Sequence, residues 1–452
     1  MIAIIIFSLL LLGTGIFAFI NYGRIIRNIQ LAKPTQTQPE DGGQRLKNVL
    51  LIALGQKKMF ARPISAFMHL FIYTAFLVTQ IELLEIMVDG LSGNHRFFAK
   101  PLGGLYTLVI STIEVLSVLA FVATLVFLYR RNIMRLARFQ SPEMTGWPSR
   151  DANLILLAEI ILITFIMLMN SADMMLKDMS HNGENYGFLI SGLFYSIWDG
   201  SSTETLHVVS AIGWWGHIIM VFAYLNYLPF SKHLHIILAF PNTYYARLSG
   251  KGEMENMPDI QKEVASMFDP NAALLPPADM DAMPQFGVKD VFDFERKDLL
   301  AAYTCTQCGR CTSSCPANLT GKALSPRKIM MDIRDRADEI GANIKANKTE
   351  FIRQQDKETT SQLTKANYDD GKNLFSYITE EEIRACTTCN ACVEACPVLI
   401  SPLSIIIELR RNLILEQSKS PEAWNGMFNA LDNNGAPWAF PREDRTKWMA
   451  DI

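Results

Sequence analysis

An all-α fold is what the sequence predicts: a bundle of five transmembrane helices followed by a smaller helical domain. Three observations predict it. Five apolar runs long enough to cross a bilayer all begin before residue 204, helix-start signals recur in the remainder, and one cysteine spacing is written twice there. The 452 residues are 49% hydrophobic with a mean hydropathy of +0.13, a composition that points to a membrane component. A net charge of -3 gives no reason to expect a nucleic-acid partner.

A bilayer needs about twenty mostly apolar residues per helix, and the runs 1–22, 63–88, 104–129, 152–172 and 203–228 qualify. The first lacks a basic start and a small-residue cleavage site and runs straight into Tyr22, Arg24 and Arg27, so it reads as a retained anchor rather than a signal peptide. Lys and Arg number eight in 23–62 and five in 130–151, against two in 89–103 and one in 173–202. Basic loops stay inside, so the expected arrangement is multi-pass in the inner (cytoplasmic) membrane, N-terminus outside and everything after Pro229 in the cytoplasm.

The chain divides into a membrane domain (1–245), a linker (246–294), a second domain (295–417) and a tail (418–452). Within the first, QRLKNVLLIALGQKKMF (44–60) has apolar residues at helical spacing with basic flanks, as a helix on the membrane surface would. The linker is rich in Pro, Met, Asp and Gly with weak periodicity. In the second domain, SPRKIMMDIR (325–334) and SPLSIIIELR (401–410) are in register: Ser325 and Ser401 suit N-caps, and Pro326 and Pro402 suit the first helical position. TEEE (379–382) is a capping box that opens a helix leading into Cys386.

CTQCGRCTSSCP from Cys305 and CTTCNACVEACP from Cys386 both read C-x2-C-x2-C-x3-C-P and use all eight cysteines. Thiols inside the cell stay reduced, so metal ligation is expected rather than disulfides. Zinc modules present two separated pairs; a tight triplet plus Cys-Pro, repeated, is the pattern of [4Fe-4S] clusters. In two-cluster ferredoxins the fourth cysteine of each run serves the other cluster. That assigns Cys305, Cys308, Cys311 and Cys396 to cluster 1, and Cys386, Cys389, Cys392 and Cys315 to cluster 2. The fold class is therefore a five-helix bundle joined to a helical two-[4Fe-4S] ferredoxin-like domain. Residues 299–415 resemble the two-cluster domain of heterodisulfide reductase and anaerobic glycerol-3-phosphate dehydrogenase iron–sulfur subunits.

All seven histidines precede residue 236. His217 and His235 are eighteen residues apart, about five helical turns or 27 Å, and would share a face of one helix. His69 sits near the cytoplasmic end of its span, level with His235. Two imidazoles from facing helices at one depth can hold a haem iron. The run GHIIMVFAYLNYLPFSKHLH resembles the last span of the respiratory nitrate reductase gamma subunit, over residues 1–245. That resemblance implies five spans and two b haems, with His69 and His235 ligating the cytoplasm-proximal one. The expected partner of His217 in a second haem is replaced by Thr79, and His207 is about 15 Å further along the helix.

Glu82, Glu85, Glu114 and Glu159 fall within predicted spans, where a carboxyl is costly enough to be a functional candidate. Glu82, Glu85 and Glu114 are the proton and quinone candidates. No Gly-rich nucleotide fingerprint, nucleophile–base pair or spare cysteine appears, so no catalytic residue is assigned. NNGAPWAFPREDRTKW (433–448) resembles the segment that precedes CCG-type cysteine motifs in heterodisulfide reductase-like proteins. It implies docking of a soluble CCG-type subunit, with Trp438 and Trp448 at the contact. The expected function is a quinone-linked oxidoreductase subunit carrying electrons among lipid-dissolved quinone, haem b, two [4Fe-4S] clusters and a soluble partner such as an electron transfer flavoprotein. It is expected to be inactive without that partner. The alternative is a haem-free membrane anchor that senses redox state or assembles a complex.

Overall fold

The computed structural model describes residues 1–35, 41–180, 187–250, 252–257, 260–261, 264–265, 268 and 285–450. Among these there is no β-strand, and five helices are long and apolar enough to cross a membrane. They are α1 (Ile2–Ile29), α3 (Pro63–Ser92), α4 (Gly104–Leu128), α5 (Trp147–Ser180) and α6 (Thr203–Tyr227), with α2 (Gly42–Asn48) between the first two. Pro63 supplies the first residue of α3, where its missing N–H costs nothing, and Gly93 ends that helix in the left-handed conformation at φ 77°. Helices α5 and α6 lie almost backbone to backbone: a Cβ on Gly213 would fall 2.7 Å from both Met169 N and Phe165 O.

Two expectations are corrected. The helix expected over 44–60 is broken: a π turn (Val49–Leu54) follows α2, and the chain then turns at Gly55 and left-handed Gln56 (φ 50°) into a 3-10 turn (Lys57–Ala61). The last span and its extension are likewise two helices. Pro229 sits in a 3-10 turn (Leu228–Phe230), Ser231 is extended, and α7 begins only at His235 (His235–Tyr244). His217 and His235 therefore do not share one continuous helical face.

The second domain follows its sequence signals closely. Helix α8 (Arg296–Thr304) runs into Cys305. Ser325 caps α9 (Pro326–Lys345) by accepting from Lys328 N–H, and Thr379 and Glu382 form the capping box of α10 (Glu380–Arg384), which runs into Cys386. The short α11 (Ala391–Ala395) carries Cys392, Ser401 caps α12 (Pro402–Arg411), and α13 (Glu422–Asn434) lies beyond. Ile329, Ile333, Ala337 and Ile340 of α9 and Ile406 and Leu409 of α12 meet in one buried core. That core also takes in Val288, Val291 and Phe294, so ordered packing begins inside the stretch expected to be a linker; 269–284 of that linker lies outside the described residues.

Membrane and cluster domains share this core, because Ile25, Leu31, Ala32 and Leu234 pack into it. Asn28 at the end of α1 donates to Tyr303 OH (2.9 Å) and Asp338 Oδ1 (2.8 Å). In the first turn of α9 the fully buried Arg327 donates to Glu143 Oε1 (2.7 Å) and Arg138 O (2.6 Å) in the loop after α4. A guanidinium with partners on a separate element fixes orientation as well as distance.

Candidate metal centres

The repeated cysteine motif is also a repeated backbone. Gln307 (φ 55°) and Thr388 (φ 55°) occupy equivalent positions, as do Gly309 (φ 71°) and Asn390 (φ 61°), and all four are left-handed. Alternation of this kind curls a loop so that successive N–H groups face inwards. Thr388 N–H donates to Cys386 Sγ at 3.4 Å, and Ile400 N–H to Cys396 Sγ at 3.2 Å.

Cys315 stands with the second motif, since Cys315, Cys386, Cys389 and Cys392 line one cavity together with Leu324, Pro326, Leu403 and Ile406. Cys396 stands with the first. Burial pushes its thiol up to about 12, backbone N–H groups of Val398 and Ile400 oppose that, and the neighbouring Cys308 and Cys305 add to it. Burial likewise pushes Cys392 up to about 12, reinforced by Cys386, Cys315 and Cys389. Thiols crowded and buried in this way ionise together only around a positively charged core, which is what a cubane supplies. Among the described residues no three His, Cys, Asp or Glu side chains close around a point suited to one ion. The four-cysteine cavity and the thiol neighbourhoods fit a multi-iron core, which spreads its sulfur ligands more widely.

His69 on α3 and His235 at the start of α7 face each other with ring centroids 6.4 Å apart. A metal–imidazole bond is about 2 Å and the ring centre lies about 1 Å behind its nitrogen, so two axial imidazoles on one iron stand about 6 Å apart. Each ring is held by its other nitrogen: His69 Nδ1 lies 3.0 Å from Gln56 Oε1, and His235 Nδ1 lies 3.1 Å from Lys232 O. Carbonyl partners fix the Nδ1–H tautomer and leave Nε2 free to ligate. Burial holds His235 below the ordinary imidazole range, in the neutral form that binds metal. The pair fits a haem iron. His233, which the sequence reading did not single out, lies with its ring centroid 5.5 Å from that of His235 and tilted 55° to it, and its Nδ1 has no partner among the described residues.

His217 is oriented in the same way, with Nδ1 3.2 Å from Leu162 O. Thr79, at the position expected to face it, bonds its own helix at Phe76 O. No second imidazole is brought to His217 among the ring contacts of the described residues.

The membrane carboxyls belong to a buried polar network at the far end of the bundle. Arg96 donates to Asp173 Oδ2 (2.8 Å) and Asn170 Oδ1 (2.5 Å), and His95, with a side chain 45% exposed, reaches the same Asp173 oxygen at 2.7 Å. Tyr106 OH and Phe98 N–H donate to Glu85. Glu114, fully buried, accepts from Asn170, from Ile190 and Ser191 N–H, and from the Ser191 hydroxyl. Glu82 Oε1 is the exception: it lies 3.7 Å from Arg96 Nη1 with no hydrogen bond among the described residues. Glu159 is half-buried. Of this network the sequence pointed to the glutamates; Arg96 and Asp173 sit beside span ends and carried no such signal. Trp438 and Trp448 are 56% and 63% exposed, so each leaves more than half of its surface uncovered.

Residues 304–400 match the 4Fe-4S dicluster domain family. The chain is 27% identical over 418 residues to the probable iron-sulfur-binding oxidoreductase FadF of Bacillus subtilis, covering 90% of this chain and 55% of that one. It is 25% identical over 460 residues to the EtfAB:quinone oxidoreductase of Syntrophomonas wolfei, covering 98% and 59%. A probable membrane-anchored ferredoxin of Chromohalobacter salexigens is 29% identical over 181 residues, 38% of this chain and 25% of that protein. The chain thus spans little more than half the length of the first two relatives. No solved structure matches it. Its homologues are iron–sulfur oxidoreductases and a membrane-anchored ferredoxin, which together with five apolar helices and a 4Fe-4S dicluster domain support a role in membrane electron transfer.

Proposed function

We propose that the chain is the electron-transfer subunit linking a membrane quinone to a soluble redox protein, with a haem b held by His69 and His235, cluster 1 by Cys305, Cys308, Cys311 and Cys396, and cluster 2 by Cys386, Cys389, Cys392 and Cys315. The observation that carries it is the His69–His235 pair at 6.4 Å, both rings anchored through Nδ1, beside the first cysteine loop. When bound, the haem iron and the cubanes would supply one-electron steps between quinone and partner. The residues do the positioning. Gln56 and the Lys232 carbonyl orient the two imidazoles, and Lys232 Nζ donates to Gln307 Oε1 (3.0 Å), holding the histidine turn against the cysteine loop. His217, also anchored through Nδ1, is the candidate for a second haem.

Quinone chemistry moves protons too, and Glu82, with a free oxygen beside Arg96, is the group best suited to hold one. Glu85 and Glu114 accept hydrogen bonds from several donors and serve to organise the site. The name of the Syntrophomonas wolfei relative supports an electron transfer flavoprotein as soluble partner, with a CCG-type subunit as the second candidate; either would meet the exposed Trp438 and Trp448. The inferred setting is the inner membrane, N-terminus outside and cluster domain in the cytoplasm. The domain pairing is that of a nitrate reductase gamma-like bundle with a heterodisulfide reductase-like ferredoxin domain.

Absorbance of the full chain, purified after expression with ample haem, tests this. A b-type spectrum reducible by a short-chain quinol is expected. Iron–sulfur absorbance without any b-type band would instead favour a haem-free anchor.

A further inference from the structure

A cleft of about 380 Å³ opens between the domain-side ends of α3 and α4, lined by Arg62, Pro63, Ile64, Ser65, Arg130, Leu136, Ala137 and Arg138. Three of these are arginines, and among the described residues none makes an ion pair with a carboxylate. The nearest acidic side chain in that loop, Glu143, is taken by Arg327 and Ser325. Arg138 shows the consequence. Burial, followed by the like charges of Arg62, Arg310 and Arg130, pulls it down to about 10, with only the Cys308 thiol acting the other way. Its Nε has no hydrogen-bond partner among the described residues.

Apart from Ser65 the rest of the cleft is apolar, and it stands where a bilayer changes from headgroups to hydrocarbon. Pro63 opens one membrane helix, and Arg130 lies in the last turns of another. Ile64 (62% exposed), Phe67 (50%), Ile133 (69%) and Met134 (52%) flank the arginines in sequence and would face lipid. A neutral quinone would leave three guanidinium charges unbalanced. A phosphodiester brings negative charge and several acceptor oxygens to planar donors, and acyl chains suit the apolar flank.

We propose that this cleft binds the phosphodiester headgroup of an anionic phospholipid, gripped by Arg62, Arg130 and Arg138, with its chains along Ile64 and the end of α4. Basic pockets between membrane helices recognise anionic headgroups in this way. The site has a structural consequence, because two of its residues reach the first cysteine loop. Arg62 Nη2 donates to Ser313 Oγ at 2.7 Å, and a Cβ on Gly309 would lie 3.2 Å from Arg138 O. A lipid held there braces that loop against the membrane surface.

Native mass spectrometry of the full chain, released from nanodiscs with equal amounts of phosphatidylcholine and phosphatidylglycerol, tests the proposal. Phosphatidylglycerol should be retained preferentially. Each guanidinium removed, as in Arg130→Gln or Arg138→Gln, should weaken retention about fivefold, Arg130→Lys should restore most of it, and Lys47→Gln, which removes the same charge from exposed surface away from the cleft, should change nothing. Arg130→Gln is the decisive variant, since Arg62 bonds Ser313 of the cluster domain whereas Arg130 makes no hydrogen bond or ion pair to that domain among the described residues, and an unchanged visible iron–sulfur spectrum would show the fold intact. Equal loss with Lys47→Gln would mean a diffuse charge effect and overturn the site. Retention unaffected by Arg130→Gln and Arg138→Gln would overturn it too. Displacement of the lipid by millimolar inorganic phosphate would overturn the lipid assignment in favour of a soluble anion.

Discussion

Lys232 Nζ lies 3.0 Å from Gln307 Oε1, and both residues are buried. One contact therefore ties the turn that carries His235 to the loop between Cys305 and Cys308. The same ammonium donates to Pro148 O (2.5 Å) and lies 3.8 Å from Asp151 Oδ2, so three elements converge on it. Burial pulls Lys232 down to about 7 while Asp151 opposes that, and such a group is retained only where its hydrogen bonds are complete.

Lys232→Met should leave Gln307 Oε1 buried without a donor and Pro148 O with only the 3.5 Å bond from Arg131 Nη2, a loss of about 2 kcal/mol. Heating the purified chain while following iron–sulfur absorbance should show an earlier transition, and any b-type absorbance should fade with it. If the b-type band alone moved, the two sites would not be coupled through this contact.

Cys315→Ser should damage the cluster of the Cys386 motif, not that of its own run, because Cys315 lines the cavity with Cys386, Cys389 and Cys392. Cys396→Ser should do the reverse. Electron paramagnetic resonance of each reduced variant distinguishes the two signals, and iron content should fall from about eight towards four per chain in both.

Much of this site was legible because its signals are local. Cysteine spacing, Ser325 and Ser401 as caps, and the Thr379–Glu382 box are each decided within a few residues, and the structure follows them. What escaped depends on contacts across the chain. Gln56 orients His69 from a loop thirteen residues away, and Arg96 meets Asp173 seventy-seven residues on. The His217–His235 spacing failed as an argument because it assumed an unbroken helix; Pro229 and extended Ser231 break it, yet His235 still arrives opposite His69.

His69→Ala and His235→Ala should each abolish the same low-spin b haem signal, whereas His217→Ala should leave it standing. Gln56→Leu separates ligation from orientation, since it removes only the acceptor that fixes His69 Nδ1. It should keep the haem with about tenfold weaker retention. Equal loss in all three histidine variants would point to collapse of the bundle.

Asp370 accepts from Arg336 at 2.6 and 2.9 Å, and Arg336 is fully buried. Burial raises the Asp370 carboxyl, but the hydrogen bonds from Arg336 and Tyr368 outweigh it and hold the group down at about 2. A carboxyl lowered by folding stabilises the native state above its unfolded value near 4, and loses that contribution as pH falls towards 2. Asp370→Asn should cost about 1–2 kcal/mol near neutrality. The difference between the two proteins in denaturant midpoint should shrink from pH 4 to pH 2; a constant difference would mean that the pair contributes through packing alone.

Trp438, Phe440, Trp448 and Met449 are between 56% and 63% exposed, and Trp424 and Phe428 of α13 add a partly exposed aromatic pair with centroids 6.3 Å apart. Exposed aromatics of this density are the usual anchors of a protein interface, because each removes a large area from water with few rotamers to fix. The core of the cluster domain closes without them, since Ile406, Leu409 and Leu413 are buried against α9 and not against the tail. Deleting 433–452 should therefore leave iron content and melting behaviour within experimental scatter. Binding to an electron transfer flavoprotein, measured by co-purification from membranes, should fall at least tenfold, and Trp438→Ala with Trp448→Ala should reproduce most of that loss. Undiminished binding by the shortened chain would place the contact elsewhere, and loss of iron along with binding would show that the tail stabilises the domain rather than docking a partner.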